Sequence, residues 1–238
     1  MKFVPVPGTK VLFCIHETRR RDYQTFFASG YDASARYKID GGWKTAKING
    51  MQTPQGDDYP VAPVHSVDAQ RFCDWLSEVE GVRYRLPTDR EWSLSVGLVE
   101  DVGPNDTPET LSRKNIGVFP WGGKWPPPPA TANYADTKTG SAFPGKEFIA
   151  SYTDEHASSA PVMSCEPNSL GIYDLAGNVW EWCGDMYDSA TKHRVLRGGA
   201  WDTSQQQMLF SSYRDHARDN ERASKARGFR IVLEMPAP

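Results

Sequence analysis

The residue types that could do chemistry concentrate in two stretches. Between Gly171 and Cys183 the acids Asp174 and Glu181 and the amide Asn178 stand among Ile172, Tyr173, Leu175, Val179, Trp180 and Trp182. Such apolar neighbours demand burial, and a buried polar group is stable only when hydrogen-bonded, paired or bound to a cation. Gly171 and Gly177 interrupt any regular element, so the stretch reads as a buried, irregular turn with something polar threaded through it. The second stretch, 202–227, runs between the apolar anchors Trp201 and Phe229. It carries Thr203, Ser204, Gln205, Gln207, Tyr213, Asp215, His216, Arg218, Glu221, Ser224 and Lys225, with Met208, Leu209 and Phe210 to pin it down. A polar loop of that length in a compact domain is functional or disordered. Tyrosine, histidine and arginine supply the rigid area and charge-assisted hydrogen bonds of recognition surfaces. We read Trp201 and these polar residues as a ligand-binding segment. The competing reading is a solvated loop whose Arg214 and Arg222 pair with Asp215, Asp219 or Glu221.

Other chemistry is disfavoured. Cys14, Cys73, Cys165 and Cys183 are widely spaced without a CxxC pair, which argues against a zinc ribbon or thioredoxin-type site and for buried free thiols. His16, His65, His156, His193 and His216 are scattered and read as surface residues. No Ser-His-Asp order, phosphate-cradling glycine loop or HExxH motif appears, and Gly198-Gly199 reads as a tight strand bend. With 27 Lys and Arg against 30 Asp and Glu, the chain lacks the electrostatic footprint of a nucleic-acid partner. No apolar run approaches the about 18 residues of a membrane span, and no basic region with an apolar stretch opens the chain. The expectation is a cytoplasmic protein without membrane insertion; a trimmed chain would hide a signal or a further domain.

The elements that must position these residues are few. At 238 residues the chain is expected to form one domain, 1–238, since apolar segments recur to the end without a polar linker. Aromatics at 12 %, with 20 Gly and 18 Pro, point to a loop-rich α+β fold whose core is built from rings. Phe3–Val6 and Lys10–Ile15 read as a hairpin around Pro7-Gly8-Thr9. Thr18 is placed to cap a short helix with Tyr23, Phe26 and Phe27 on its apolar face and Gly30 as its stop. The polar stretch Tyr31–Pro63 reads as a long loop. Ser66 is placed to cap the clearest helix, with Ala69, Phe72, Cys73 and Leu76 inward and Asp68 and Asp74 outward. Thr88 and Glu91 stand in capping-box relation before Trp92 and Val96. Pro126 to Pro129, flanked by Trp121 and Trp125, read as an extended coil packed on the surface. Arg194–Arg197 and Gly228–Leu233 read as strands.

Six motifs in order resemble the formylglycine-generating enzyme (sulfatase-modifying factor) family, of C-type-lectin-like fold. They are Pro60-Val61 before the helix with Phe72-Cys73 and Trp75-Leu76, Arg85 through Trp92, Pro120-Trp121-Gly122, Gly171 through Trp182, Arg194 through Trp201, and Gly228-Phe229-Arg230. The resemblance runs from Phe3 to Leu233. It implies an α+β domain with two helices and a small twisted antiparallel sheet joining the chain ends. It also implies two structural calcium ions: one held by Asp174, the carbonyls of Gly177 and Val179, and Glu181, the other by Asn133, the carbonyl of Tyr134, Asp154 and the carbonyl of His156. Oxygen-only sets of this kind suit hard cations.

One part of the pattern fails. The catalytic members bind copper through two cysteines after the Gly-Gly-Ser/Ala-aromatic motif, and those places hold Thr203 and Met208. A hydroxyl and a thioether provide no pair of thiolates for Cu(I), so no copper is expected. The family's iron-dependent sulfoxide synthases use histidines of a companion helical domain, and no such domain is expected here. The favoured reading is a non-catalytic recognition domain. It resembles the kinase-associated modules and the variable proteins of bacterial diversity-generating retroelements, whose hypervariable residues lie between the Arg-Gly-Gly and Gly-Phe-Arg motifs. A metal-dependent oxidase with a relocated active site is the alternative. Asn220, the one asparagine between those motifs, neither supports nor excludes diversification.

Overall fold

Phe3–Pro5 (β1) and Val11–Cys14 (β2) pair antiparallel with Phe3 opposite Cys14, the hairpin expected around Gly8. The computed structural model describes residues 1–31, 42–44, 47–48, 51–52, 56–188, 190–218 and 226–236. Most of the expected loop from Tyr31 to Pro63 therefore lies outside the described residues. Helix α1, Arg20–Ser29, ends at Gly30, whose φ of 65° is the left-handed stop that glycine takes without strain. Its start differs from expectation: the carboxylate of Asp22 accepts the amide of Arg19, while the Thr18 hydroxyl is buried without a partner. Lys47–Ile48 (β3) and Met51–Gln52 (β4) form a two-stranded pair.

Helix α2, Ser66–Glu80, buries Ala69, Phe72, Cys73 and Leu76 as its spacing predicts. Asp68 does not face outward; it is 5 % exposed and paired with Arg71. Tyr84–Arg85 (β5) leads into α3, Asp89–Ser95, which opens with the expected capping box between Thr88 and Glu91. Two short helices follow that the sequence did not suggest, α4 at Pro108–Leu111 and α5 at Thr137–Ala142. Both start on side-chain caps, Thr107 and Asp136, and lack the apolar stripe that would announce them. Among the described residues there are five α-helices where the resemblance implies two. Pro127 is buried and its three proline neighbours are exposed, so the run does pack on the surface.

Trp180–Asp188 (β6), His193–Arg197 (β7), Asp215–Arg218 (β8) and Arg227–Gly228 (β9) form a sheet in the order β8-β7-β6-β9, with β9 parallel to β6. Val232–Glu234 (β10) pairs with β2 on one side and β5 on the other. The strand expected over Gly228–Leu233 is thus split between two sheets. It breaks at Phe229–Ile231, where Arg230 turns inward to an acid rather than continuing a ladder.

Rings fill the space between α1, α2 and the sheets. Tyr23 lies 5.2 Å from Phe26, 5.6 Å from Trp43 and 5.8 Å from Phe72, and Phe72 lies 5.5 Å from Phe229. Such pairs add to the burial of their large apolar area. Cys14, Cys73 and Cys183 are buried free thiols and Cys165 is half-buried. Among the described residues no helix is long and apolar enough to cross a membrane.

Candidate functional site

The stretch 171–183 is an irregular turn only as far as Val179, after which Trp180 begins β6. Asn178 is its hub. The Asn178 amide donates to Glu17 at 2.6 Å, and its oxygen accepts from Ala160 and from the Asn133 amide. Glu17, fully buried, also accepts the amide of Val179 at 3.1 Å. Burial and the nearby charges of Asp174 and Glu181 push the Glu17 carboxyl well above the usual range. Glu17 carried no signal in the sequence, because it is an isolated acid between a strand and a helix.

Where the resemblance implies a cation ligand, Glu181 is instead held by the Arg230 guanidinium, through bonds of 2.8 and 2.5 Å, and by the Trp92 indole at 2.8 Å. A buried carboxylate needs a positive partner and filled lone pairs, and Arg230 with Trp92 supplies both, so the first cation set does not fit. Asp174 accepts the amide of Met163 at 2.7 Å, and burial pushes it up to about 6.

The second set fits better. Asp154 accepts the amides of Tyr134 and His156, yet burial pushes its carboxyl up to about 7. The Asn133 amide donates to Asn178 and to the carbonyl of Ser158, which leaves its oxygen buried without a partner. An orphaned buried acceptor costs about 1–3 kcal/mol unless something answers it. Among the described residues no three His, Cys, Asp or Glu side chains converge at metal-binding spacing, so a cation here would rely on the single Asp154 carboxylate, the Asn133 oxygen and carbonyls.

The second stretch is pinned from beneath by a buried ion network. Arg197 of β7 and Arg214, both with fully buried side chains, share the carboxylate of Asp89, and Arg214 also meets Glu100 at 2.6 Å. Arg197 stacks on Trp92 at 4.3 Å and donates to the carbonyl of Ser211 at 2.7 Å. The competing solvated-loop pairing of Arg214 with Asp215 is therefore not what forms. The amide of Ser211 donates to the carbonyl of Val118, and that of Arg214 to Ser112.

On this base the segment presents two clefts that meet at Asp215. The first encloses about 310 Å³ and brings Thr203, Ser204, Gln205 and Asp215 together with Lys146, Trp180 and Met208. The second encloses about 410 Å³ and brings Gln207, Tyr213, Asp215 and His216 together with Tyr187 and Phe210. Trp201 lines neither; it is 2 % exposed and packs against Phe143 at 5.7 Å. Thr203 is 5 % exposed and its hydroxyl accepts the amide of Ala200, so it is largely structural. Arg218 is exposed at the far end of β8. Glu221, Ser224, Lys225 and Arg222 lie outside the described residues. Lys146, Tyr187 and Trp180 were missed because they arrive from distant segments with no pattern linking them to 202–227.

Residues 13–235 match the model of the sulfatase-modifying factor enzyme 1-like domain. The chain belongs to the sulfatase-modifying factor family. It is 32 % identical over 163 residues to the inactive C-alpha-formylglycine-generating enzyme 2 of Bos taurus, covering 67 % of this chain and 44 % of that protein. It is 29 % identical over 185 residues to the formylglycine-generating enzyme of Mus musculus, covering 67 % and 42 %. The chain thus spans less than half the length of these relatives. Among solved structures, Treponema denticola variable protein 1 superposes with a TM-score of 0.57 at 17 % identity, covering 98 % of this chain and 91 % of that one. The family's α+β fold is therefore the fold of this chain, and the two clefts at Asp215 lie on the segment joining its Arg-Gly-Gly and Gly-Phe-Arg motifs.

Proposed function

We propose that the chain is a non-catalytic binding domain of its family, which engages a ligand through the face built by Ser204, Gln205, Gln207, Tyr213, Asp215, His216 and Arg218. The observation that carries this reading is the chemistry of Thr203 and Met208. One is a hydroxyl tied to the amide of Ala200, the other a thioether packed against the core, and neither can be a thiolate for copper. None of the four cysteines takes their place: burial pushes the Cys14 thiol up to about 11 and the Cys165 thiol to about 12, and raises Cys73 and Cys183 well above the usual range. A relative whose name marks it as inactive supports the same reading. Cu(I)-loaded protein is accordingly expected to leave the cysteine of a sulfatase-type peptide unoxidised; aldehyde formed above a metal-free control would establish the oxidase alternative.

The binding face is tested by changing Gln207, His216 and Arg218 together to alanine. All three are exposed, whereas Tyr213 is kept because it packs against Trp180. Surface changes of this kind alter stability by about 0.5 kcal/mol or less each, so the melting temperature should hold while capture of a partner from a cell lysate is lost. Capture undiminished in the triple variant would place the binding face elsewhere. The diversified form of this reading has its own test in the genome. A near-duplicate of the codons for residues 195–230 beside a reverse-transcriptase gene would support it, and absence of such a copy would leave a fixed binding domain.

Calcium belongs to the same proposal, at the Asn133, Tyr134, Asp154 and His156 set, on the strength of the orphaned Asn133 oxygen. Calcium at about a hundred times its dissociation constant should add about 2.7 kcal/mol of stability. Chelation should lower the melting temperature, and Asp154→Asn should remove the response while Glu181→Gln changes stability without removing it. Superimposable melting curves with calcium and with chelator would end this assignment.

A further inference from the structure

The larger cleft beside β8 encloses about 410 Å³, within the range of small-ligand sites. Four rings line it: Tyr187 from β6, Phe210 and Tyr213 from the pinned segment, and His216 from β8. These rings are held in place before any ligand arrives. Tyr187 lies 4.2 Å from His216, Tyr213 lies 6.0 Å from Trp180, and Phe210 lies 5.1 Å from Phe119.

Two acids and two bases line the cleft, and one of the acids is left without a partner. Four charged residues line it, Glu109, Arg113, Arg214 and Asp215. Arg113 donates to Glu109 at 2.7 Å, and Arg214 is turned inward to Asp89 and Glu100. The side chain of Asp215 alone of the four has no hydrogen bond or ion pair among the described residues. Its side chain is half-buried at the junction of the two clefts, so its charge is incompletely screened by water. The Tyr213 hydroxyl feels it: burial first, and the charge of Asp215 second, push that phenol up to about 12.

A carboxylate with no cation, in a cleft lined by aromatic rings whose faces are electron-rich, is the arrangement that attracts an organic cation. A neutral ligand would bury the carboxylate unanswered, and an anion would be repelled by it. We propose that this cleft binds an alkylammonium group, with the Tyr187, Tyr213 and Phe210 rings as its walls and the Asp215 carboxylate as its counter-ion. The proposal rests on the binding face assigned above and specifies the chemistry that face recognises. The same cation could come from a methylated lysine side chain of a protein or from a free quaternary amine.

Titration calorimetry with four probes decides it: a short glycine-flanked peptide containing trimethyllysine, the same peptide with its neutral tert-butyl isostere, choline, and tetramethylammonium. The trimethyllysine peptide or choline should bind at least tenfold more tightly than the isostere. Preference for the peptide identifies a protein side chain as the source, and equal or better binding of choline identifies a free amine. Asp215→Asn keeps the shape and should bring the ratio between cation and isostere close to one, with an unchanged melting temperature. Equal binding of isostere and cation, or no binding of any probe, would overturn the proposal, whichever way the Asp215 variant behaves. Those outcomes differ from failure of the binding face itself, which would show as full partner capture by the Gln207, His216 and Arg218 triple variant.

Discussion

Asp89→Ala should destabilise the domain by about 3–5 kcal/mol, the cost of breaking a buried ion pair from one side. The carboxylate of Asp89 is shared by Arg197 and Arg214, whose side chains are fully buried. Without it Arg214 keeps Glu100, while Arg197 keeps only neutral acceptors, Ser93 and the carbonyl of Ser211 among them. One guanidinium is then left in the interior with no opposing charge. The loss should appear as a lower urea midpoint with an unchanged slope. It should also loosen the segment that carries the binding face, because Ser211 and Arg214 are the points where that segment is tied down. A stability change below about 1 kcal/mol would show that the network is already satisfied without its central acid.

Gly177→Ala should be comparably severe, for reasons of space and backbone rather than charge. Gly177 has φ of 80°, and a Cβ built there would sit 2.2 Å from the carbonyl oxygen of Asn133. The neighbour is backbone, fixed by the bridge between Asn133 and Gly177 and by the bond from the Asn178 amide to the same carbonyl. It cannot turn aside as a side-chain end would. Left-handed strain of about 1 kcal/mol and an overpacking cost of about 1–3 kcal/mol add together, so a loss of about 3 kcal/mol is expected from denaturant unfolding. Gly30→Ala supplies the control: it shares the positive φ, but a Cβ there meets nothing within 4 Å. If the two variants were equally stable, the close approach at Asn133 would not be a constraint.

What could be read in advance followed local rules. The helices at Arg20–Ser29, Ser66–Glu80 and Asp89–Ser95 have apolar spacing or caps that a short window contains, and the first hairpin has its turn residues. The residues that decide the interior did not show themselves. Arg214 looked like one charge in a polar loop, and its partners Asp89 and Glu100 lie more than a hundred positions upstream. Arg230 sat inside an apolar strand pattern, and Glu181 among aromatics; that they answer each other follows only from the crossing of β6 with the chain between β9 and β10. The binding stretch was visible as a polar run, yet its clefts are half made of Lys146, Trp180 and Tyr187, which share no sequence period with it. Buried polar pairing over long separations has no local signature.

The pairing of β10 with β2 also bears on how such a chain is made. Val232 lies opposite Phe13, and Arg230 reaches the carbonyl of Cys14. The first sheet is thus completed by residues more than 200 positions apart, and closing so large a loop precedes any return from the contacts it allows. During synthesis from the amino end, the edge of β2 that receives β10 stays open until β10 has left the ribosome. Apolar residues such as Phe13 then stand beside an unpaired strand edge, the arrangement that invites mispairing between nascent chains. In such a chain the emergence of β10 governs when β2 becomes safe from aggregation.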